Sequence, residues 1–227
     1  MQKNSICYWC GKEVKIGEGN REHLIPSTIL QDLDGTVDIS NLIVQKDNAH
    51  KKCNTYLSDN YEHDFCQMIF MYGFGDKKAT KHNLAKVKNL ENKKLYLKNQ
   101  FDRMKKSDGR TTYQPTVDED NSFNQVVRKI LKGLYFKNNL KFLDLESTYR
   151  LEIDRDTQNL EKSESAKQKV IKFLHFINDI VFIGNKVFKY RYKQAVDGKS
   201  IIWELCFYNR FPIHCYLIHK DDEYAFK

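Results

Sequence analysis

Cys7-Tyr8-Trp9-Cys10, Arg21-Glu22-His23-Leu24-Ile25-Pro26, Asn41-Leu42-Ile43 and His50-Lys51-Lys52-Cys53-Asn54 follow one another within the first quarter of the chain. Two thiolates separated by two residues can turn back on one ion, and a second pair at the same spacing closes a tetrahedron suited to zinc. The pairs are Cys7 with Cys10 and His50 with Cys53, a Cys₃His set that leaves no open position for catalysis. The chain holds 6 cysteines, an even number that also permits disulfides. The N-terminus lacks a charged-then-apolar signal segment, and no run of about 18 apolar residues offers a membrane span. The expectation is therefore a reduced, cytoplasmic chain that spends these thiols on metal and does not enter a membrane. Cys66, Cys206 and Cys215 lie in apolar surroundings and read as small hydrophobes.

Charge is unevenly spread. The whole chain of 227 residues carries a formal charge of +8, yet residues 1–65 are net −3 and the remainder net +11. Residues 76–106 alone hold 11 basic and 3 acidic side chains. Leu84, Val87, Leu90, Leu95 and Phe101 recur among them at roughly helical spacing, as in a basic amphipathic helix. Such a surface suits phosphate, since each neutralised phosphate releases counterions; a solvated lysine face has the same pattern. Lys86, Lys93 and Lys94 are its candidate nucleic-acid contacts.

Further along, Leu57, Phe65, Met68, Ile69 and Tyr72 mark a helix, with Asp59 and Glu62 as its cap pair and an end near Gly73–Gly75. Residues 107–121 lack apolar periodicity and read as a linker. Ser122 with Gln125 resembles a capping box, opening a helix whose apolar face is Phe123, Val126, Val127, Ile130, Leu131 and Leu134 and whose polar side holds Arg128, Lys129 and Lys132. A strand near 148–153 and a helix over 163–180 follow. Residues 187–193 alternate Phe188, Tyr190, Tyr192 against Lys189, Arg191, Lys193; Asp197-Gly198 marks a turn, and strands over 200–208 and 211–218 complete a small antiparallel sheet packed on helices. Pro212 suits the start of an edge strand. Aromatics facing a core with cations facing water explain the alternation; so would a nucleic-acid platform, making Lys189 and Arg191 candidate contacts.

Residues 1 to about 65 resemble the zinc-containing branch of the HNH nuclease family, on Cys7, Cys10, Glu22, His23, Pro26, Asn41, His50, Cys53 and Asn54. The resemblance implies a ββα-metal fold for that module; charge and periodicity read the chain as α+β, divided into the nuclease module over 1–75, a basic helical segment over 76–106, the linker, and an accessory α+β domain over 122–227 that could bind substrate. It implies a metal-dependent endonuclease hydrolysing phosphodiester bonds, most simply of double-stranded DNA, as in restriction or anti-phage defence. His23 would be the general base, and Glu22 and Asn54 would hold one Mg²⁺ or Mn²⁺. Asn41 would orient His23, with Asn48 a rival for that place and His63 a rival for that of Asn54. Structural zinc would hold the module together. A non-catalytic zinc ribbon binding nucleic acid or protein is the alternative, and a protein partner or homo-oligomer is left open.

Overall fold

The computed structural model describes residues 5–31, 38–73, 77, 79–81, 95, 98–99, 102–107, 110–154, 181–183, 187–194 and 200–221. The chain divides into two compact units, one of residues 1–32 and 40–142, the other of 33–39 and 143–227. Helix and antiparallel sheet are both present, as an α+β reading requires.

In the first unit, β1 (Glu22–His23) pairs antiparallel with β2 (Ile43–Val44), matching Glu22 to Val44 and His23 to Ile43. A short α1 (Ser27–Leu30) begins after Pro26, which needs no N–H at that position. The helix α2 (Lys51–Leu57) starts at His50 and runs through a π turn (Ser58–Glu62) directly into α3 (His63–Tyr72). Asp59 and Glu62 therefore sit inside a continuous helical run and do not cap its start. Its end matches the sequence reading, with Gly73 as C-cap.

The segment expected as a linker is structured. Strands β3 (Met104–Ser107) and β4 (Arg110–Tyr113) form a hairpin, and α4 (Val117–Asn139) starts five residues before the expected cap. Its capping box is Thr116 with Glu119: the Glu119 N–H donates to Thr116 Oγ1 at 3.2 Å, and the Thr116 N–H donates to Glu119 Oε2 at 2.8 Å. Arg103 also pairs with Glu119, and the Tyr113 hydroxyl donates to Glu119 Oε1 at 3.0 Å, fixing the hairpin to the helix start.

Because α4 belongs to the first unit, the second unit holds residues 33–39 and 143–227, and residues 122–142 of the segment read as one accessory domain lie in the first. The apolar face of α4 is buried as expected, with Phe123 against Phe65 of α3 at 5.8 Å between centroids. Its supposedly polar side is not solvated: Lys129 and Lys132 are buried too. The helix also approaches β1 closely, for a Cβ on Gly133 would stand 1.9 Å from Leu24 Cδ2.

The second unit is a five-stranded antiparallel sheet in the order β5 (Tyr149–Asp154), β9 (Phe211–His219), β8 (Ser200–Phe207), β7 (Phe188–Gln194), β6 (Val181–Ile183). The strands near 148, 188, 200 and 211 were legible; β6 was not. The expected helix over 163–180 and the Asp197-Gly198 turn lie outside the described residues. Strand β9 is internal, yet Pro212 lies beyond His214, the last β9 residue paired with β5, so its missing N–H costs no ladder bond on that side. Phe188, Tyr190 and Trp203 are buried.

So is Arg191, which pairs with Glu204 at 2.6 Å, while His214 approaches the same carboxylate oxygen at 3.2 Å. Register puts Arg191, Glu204, His214 and Asp154 in one row across four strands. Burial opposes ionisation of Glu204, but hydrogen bonds from His214 and Arg191 outweigh it and hold its pKa at about 2.

Two outcomes follow. A Gly133→Val variant should overpack the α4–β1 contact and lose about 2 kcal/mol in denaturant titration. The depressed pKa of Glu204 gives stability that is full above the ordinary carboxylate pKa and is lost as pH falls toward 2, about 3 kcal/mol in all. Glu204→Gln should flatten that acid limb, measured by unfolding between pH 6 and pH 2.

Candidate metal centre and the His23 strand

The sulfurs of Cys7, Cys10 and Cys53 and a ring nitrogen of His50 all lie within 4.8 Å of one another. Local hydrogen bonds explain how. The Cys7 N–H donates to Lys12 O and the Gly11 N–H to Cys7 O, each at 2.9 Å, which folds residues 7–12 into a tight knuckle. Gly11 takes φ +71°, a left-handed conformation that costs glycine little. The Tyr8 N–H donates to Asn48 O at 2.9 Å and the Asn48 side-chain amide to Ile6 O at 3.2 Å, bringing the second pair to the first.

The donor set fits zinc. All 6 cysteines are free of disulfides. The Nε2 of His50 lies 2.9 Å from Glu13 O, so a proton there leaves Nδ1, which is 3.4 Å from Cys10 Sγ, to face the thiols. Without an ion the Cys53 thiol donates to Cys7, which pulls Cys7 down to about 4 against the opposing effect of burial; backbone N–H groups of His50, Cys10 and Trp9 assist. The same pairing pushes Cys53 up. An ion bound here would draw all three sulfurs to the thiolate form. Among the described residues this tetrad is the one group of three or more such ligands able to share an ion.

His23 stands on β1, in sequence between the two halves of the tetrad, and is partly exposed. Burial first, then the Lys129 and Arg21 cations, lower its pKa, with Glu62 opposing. These effects favour its neutral form. Asn54, one residue beyond Cys53, donates from its side-chain amide to Arg21 O at 3.4 Å, so the start of α2 lies against the approach to β1. Asn41 is exposed in a 3₁₀ turn (Ser40–Leu42), and no side-chain hydrogen bond joins it to His23 among the described residues. Its rival Asn48 is occupied in the knuckle, and His63 is exposed at the start of α3.

Glu22 is drawn into an internal ion pair. It is 1% exposed, and its carboxylate shares the buried Lys129 ammonium with Glu62. Burial raises its pKa; the attraction of Lys129 only partly offsets this. Lys129 takes Glu22 Oε1, while Glu22 Oε2 is buried without a hydrogen-bond partner, so the ammonium competes with a divalent ion for one oxygen of this carboxylate and leaves the other unpaired. The neighbouring Tyr8 hydroxyl is buried without a hydrogen-bond partner; burial and then Glu22 push its pKa well up. Lys132, one turn beyond Lys129, donates to Trp9 O at 3.0 Å and lies 4.7 Å from the centre of the Trp9 ring, clasping the knuckle. Nothing in the sequence signalled these cations except their place on a helix face assumed to be solvated.

Of the candidate nucleic-acid contacts, Lys86, Lys93 and Lys94 lie outside the described residues. Lys189 donates to Asn209 Oδ1 at 2.6 Å and is partly exposed. Arg191, 5% exposed and paired with Glu204, is corrected to an internal ion-pair residue.

No protein-family model, curated protein or solved structure matches this chain. Among the described residues no helix is long and apolar enough to cross a membrane.

The purified chain should carry one zinc ion by elemental analysis. Cys53→Ser should lose it and unfold the module, a loss on the order of 10 kcal/mol of metal-linked folding energy. Cys206→Ser should keep zinc content unchanged.

Proposed function

We propose that the chain is an HNH-type endonuclease that hydrolyses phosphodiester bonds of nucleic acid, DNA in the first instance, with His23 as general base. The observation that carries this reading is the placing of a pKa-lowered, solvent-accessible imidazole on a strand between the two halves of a zinc-type tetrad, with Asn54 bonded to the residue before Glu22. A neutral imidazole accepts the proton of a water as that water attacks phosphorus. The tetrad would hold zinc for structure. Mg²⁺ or Mn²⁺ is the cation that the resemblance implies, with Glu22 and Asn54 as its ligands; Glu22 also positions β1 through Lys129.

The burial of Glu22 also favours a second reading, a zinc ribbon that binds nucleic acid without cutting it. Supercoiled-plasmid nicking with Mg²⁺, with Mn²⁺ and with chelator decides between them. The nuclease reading expects nicking by the parent chain and a loss of about 100-fold or more in His23→Ala, with zinc content and melting temperature unchanged. If the zinc-loaded parent nicks nothing in any arm, the ribbon reading holds.

A further inference from the structure

Beside the tetrad, the Gly17–Glu18 turn and the outer side of α2 enclose an open cleft of about 580 Å³, lined by Lys51, Lys52, Thr55 and Tyr56 with His50 among them. Tyr56 is 52% exposed, an unusual position for a large aromatic on a helix whose other side builds a core. Yet its ring is fixed. Its hydroxyl shares a 2.8 Å hydrogen bond with that of Tyr61, and the two rings meet edge to face at 5.6 Å between centroids. The Asn60 side-chain amide donates to Tyr56 O at 2.7 Å and braces the same turn. An aromatic held in place before a ligand arrives loses little side-chain entropy on binding. Ile16, fully exposed, directly precedes Gly17 and adds an apolar side chain at the turn. Lys51 and Lys52 stand side by side and exposed on the helix, with Glu18 the one acidic residue of the lining.

We propose that this cleft seats an unpaired base of a single-stranded nucleic acid, stacked on Tyr56, with its flanking phosphates on Lys51 and Lys52. This rests on the nuclease reading for its ligand class and adds the strand form that the site takes. The lining selects the occupant. A rigid π-face next to two ammonium groups matches a base carrying phosphates on both sides, whereas a base inside a duplex has no free face to offer. An acidic peptide would satisfy the lysines but leave the fixed ring without a flat partner. Asn54, one residue before Thr55, links the same helix to the backbone next to β1.

The test uses the full zinc-loaded chain with His23→Ala to prevent turnover, and short single-stranded DNA and RNA oligonucleotides carrying 2-aminopurine, against a blunt duplex of the same sequence. Anisotropy reads affinity, and quenching of 2-aminopurine reads stacking. Expected are tighter binding of a single strand than of the duplex, with quenching; the DNA and RNA arms identify the sugar, and binding of either supports the site. Tyr56→Ala should weaken binding about tenfold and abolish quenching, while Tyr56→Phe retains most of both. Lys51→Gln with Lys52→Gln should flatten the salt dependence by up to about two phosphates' worth. Equal binding by Tyr56→Ala and its parent, equal binding of blunt duplex without quenching, or displacement of the strand by polyglutamate in a Tyr56-dependent manner would each overturn the proposal. Zinc content and melting temperature, measured on every variant, separate loss of the cleft from loss of the fold. Plasmid nicking by the parent chain is scored separately: strand binding without nicking removes the nuclease reading and keeps the cleft, and nicking without Tyr56-dependent binding does the reverse.

Discussion

An ammonium group cannot be buried alone, and Lys129 of α4 is 1% exposed. Its two partners come from distant parts of the first unit: Glu22 from β1 and Glu62 from the end of the π turn. Removing Lys129 would leave both carboxylates without their shared cation, so the long helix, the strand bearing His23 and the helical run from α2 to α3 are bound into one structure. Gly133, one turn beyond Lys129, lets the α4 backbone come down on Leu24, and Lys132 grips the Trp9 carbonyl. The knuckle, the ribbon and α4 are therefore positioned by the same few cations. Burial raises the Glu22 pKa beside a cation that by itself would lower it, and the second carboxylate, Glu62, adds to the rise.

How much of this was legible depends on whether the signal was local. The tetrad was, because ligand spacing within each pair is set by a single turn of chain, and the four ligand atoms do converge. The sheet of the second unit was largely legible for the same reason: alternation is a property of one strand at a time. Its register was not. Arg191, Glu204 and His214 are far apart in sequence and become one ion-paired row only when three strands align. A cation alternating with aromatics looks solvated until its partner is placed opposite.

The first unit shows the converse failure, in which a correct local rule was applied to the wrong residues. Ser122 with Gln125 and Thr116 with Glu119 both satisfy the capping-box pattern. Only the second is reinforced by Arg103 and Tyr113 from the hairpin, and Asp118, Glu119 and Asp120 then fill the first turn, where negative charge suits the helix dipole. The Gly and polar residues that suggested a linker over 107–121 write a hairpin equally well. Asp59 with Glu62 likewise mimics a cap, but the helix that starts at His50 runs through them, and Glu62 is used on Lys129 instead.

The electrostatics of β1 bear on the proposed chemistry. Adjacent residues of a strand face opposite ways, so Glu22 and His23 experience different surroundings although they are neighbours. Glu22 turns inward to the Lys129 ammonium; His23 stays at the surface and feels that ammonium and Arg21 as positive charges that disfavour its own protonation. The inward carboxylate holds Lys129 in place, and Lys129 adds to burial in favouring the neutral form of the outward imidazole. A base that is neutral near pH 7 can accept a proton from water, and one protonated by a nearby carboxylate could not. In this arrangement Glu22 serves the proposed reaction by anchoring a cation that joins burial in lowering the pKa of its neighbour.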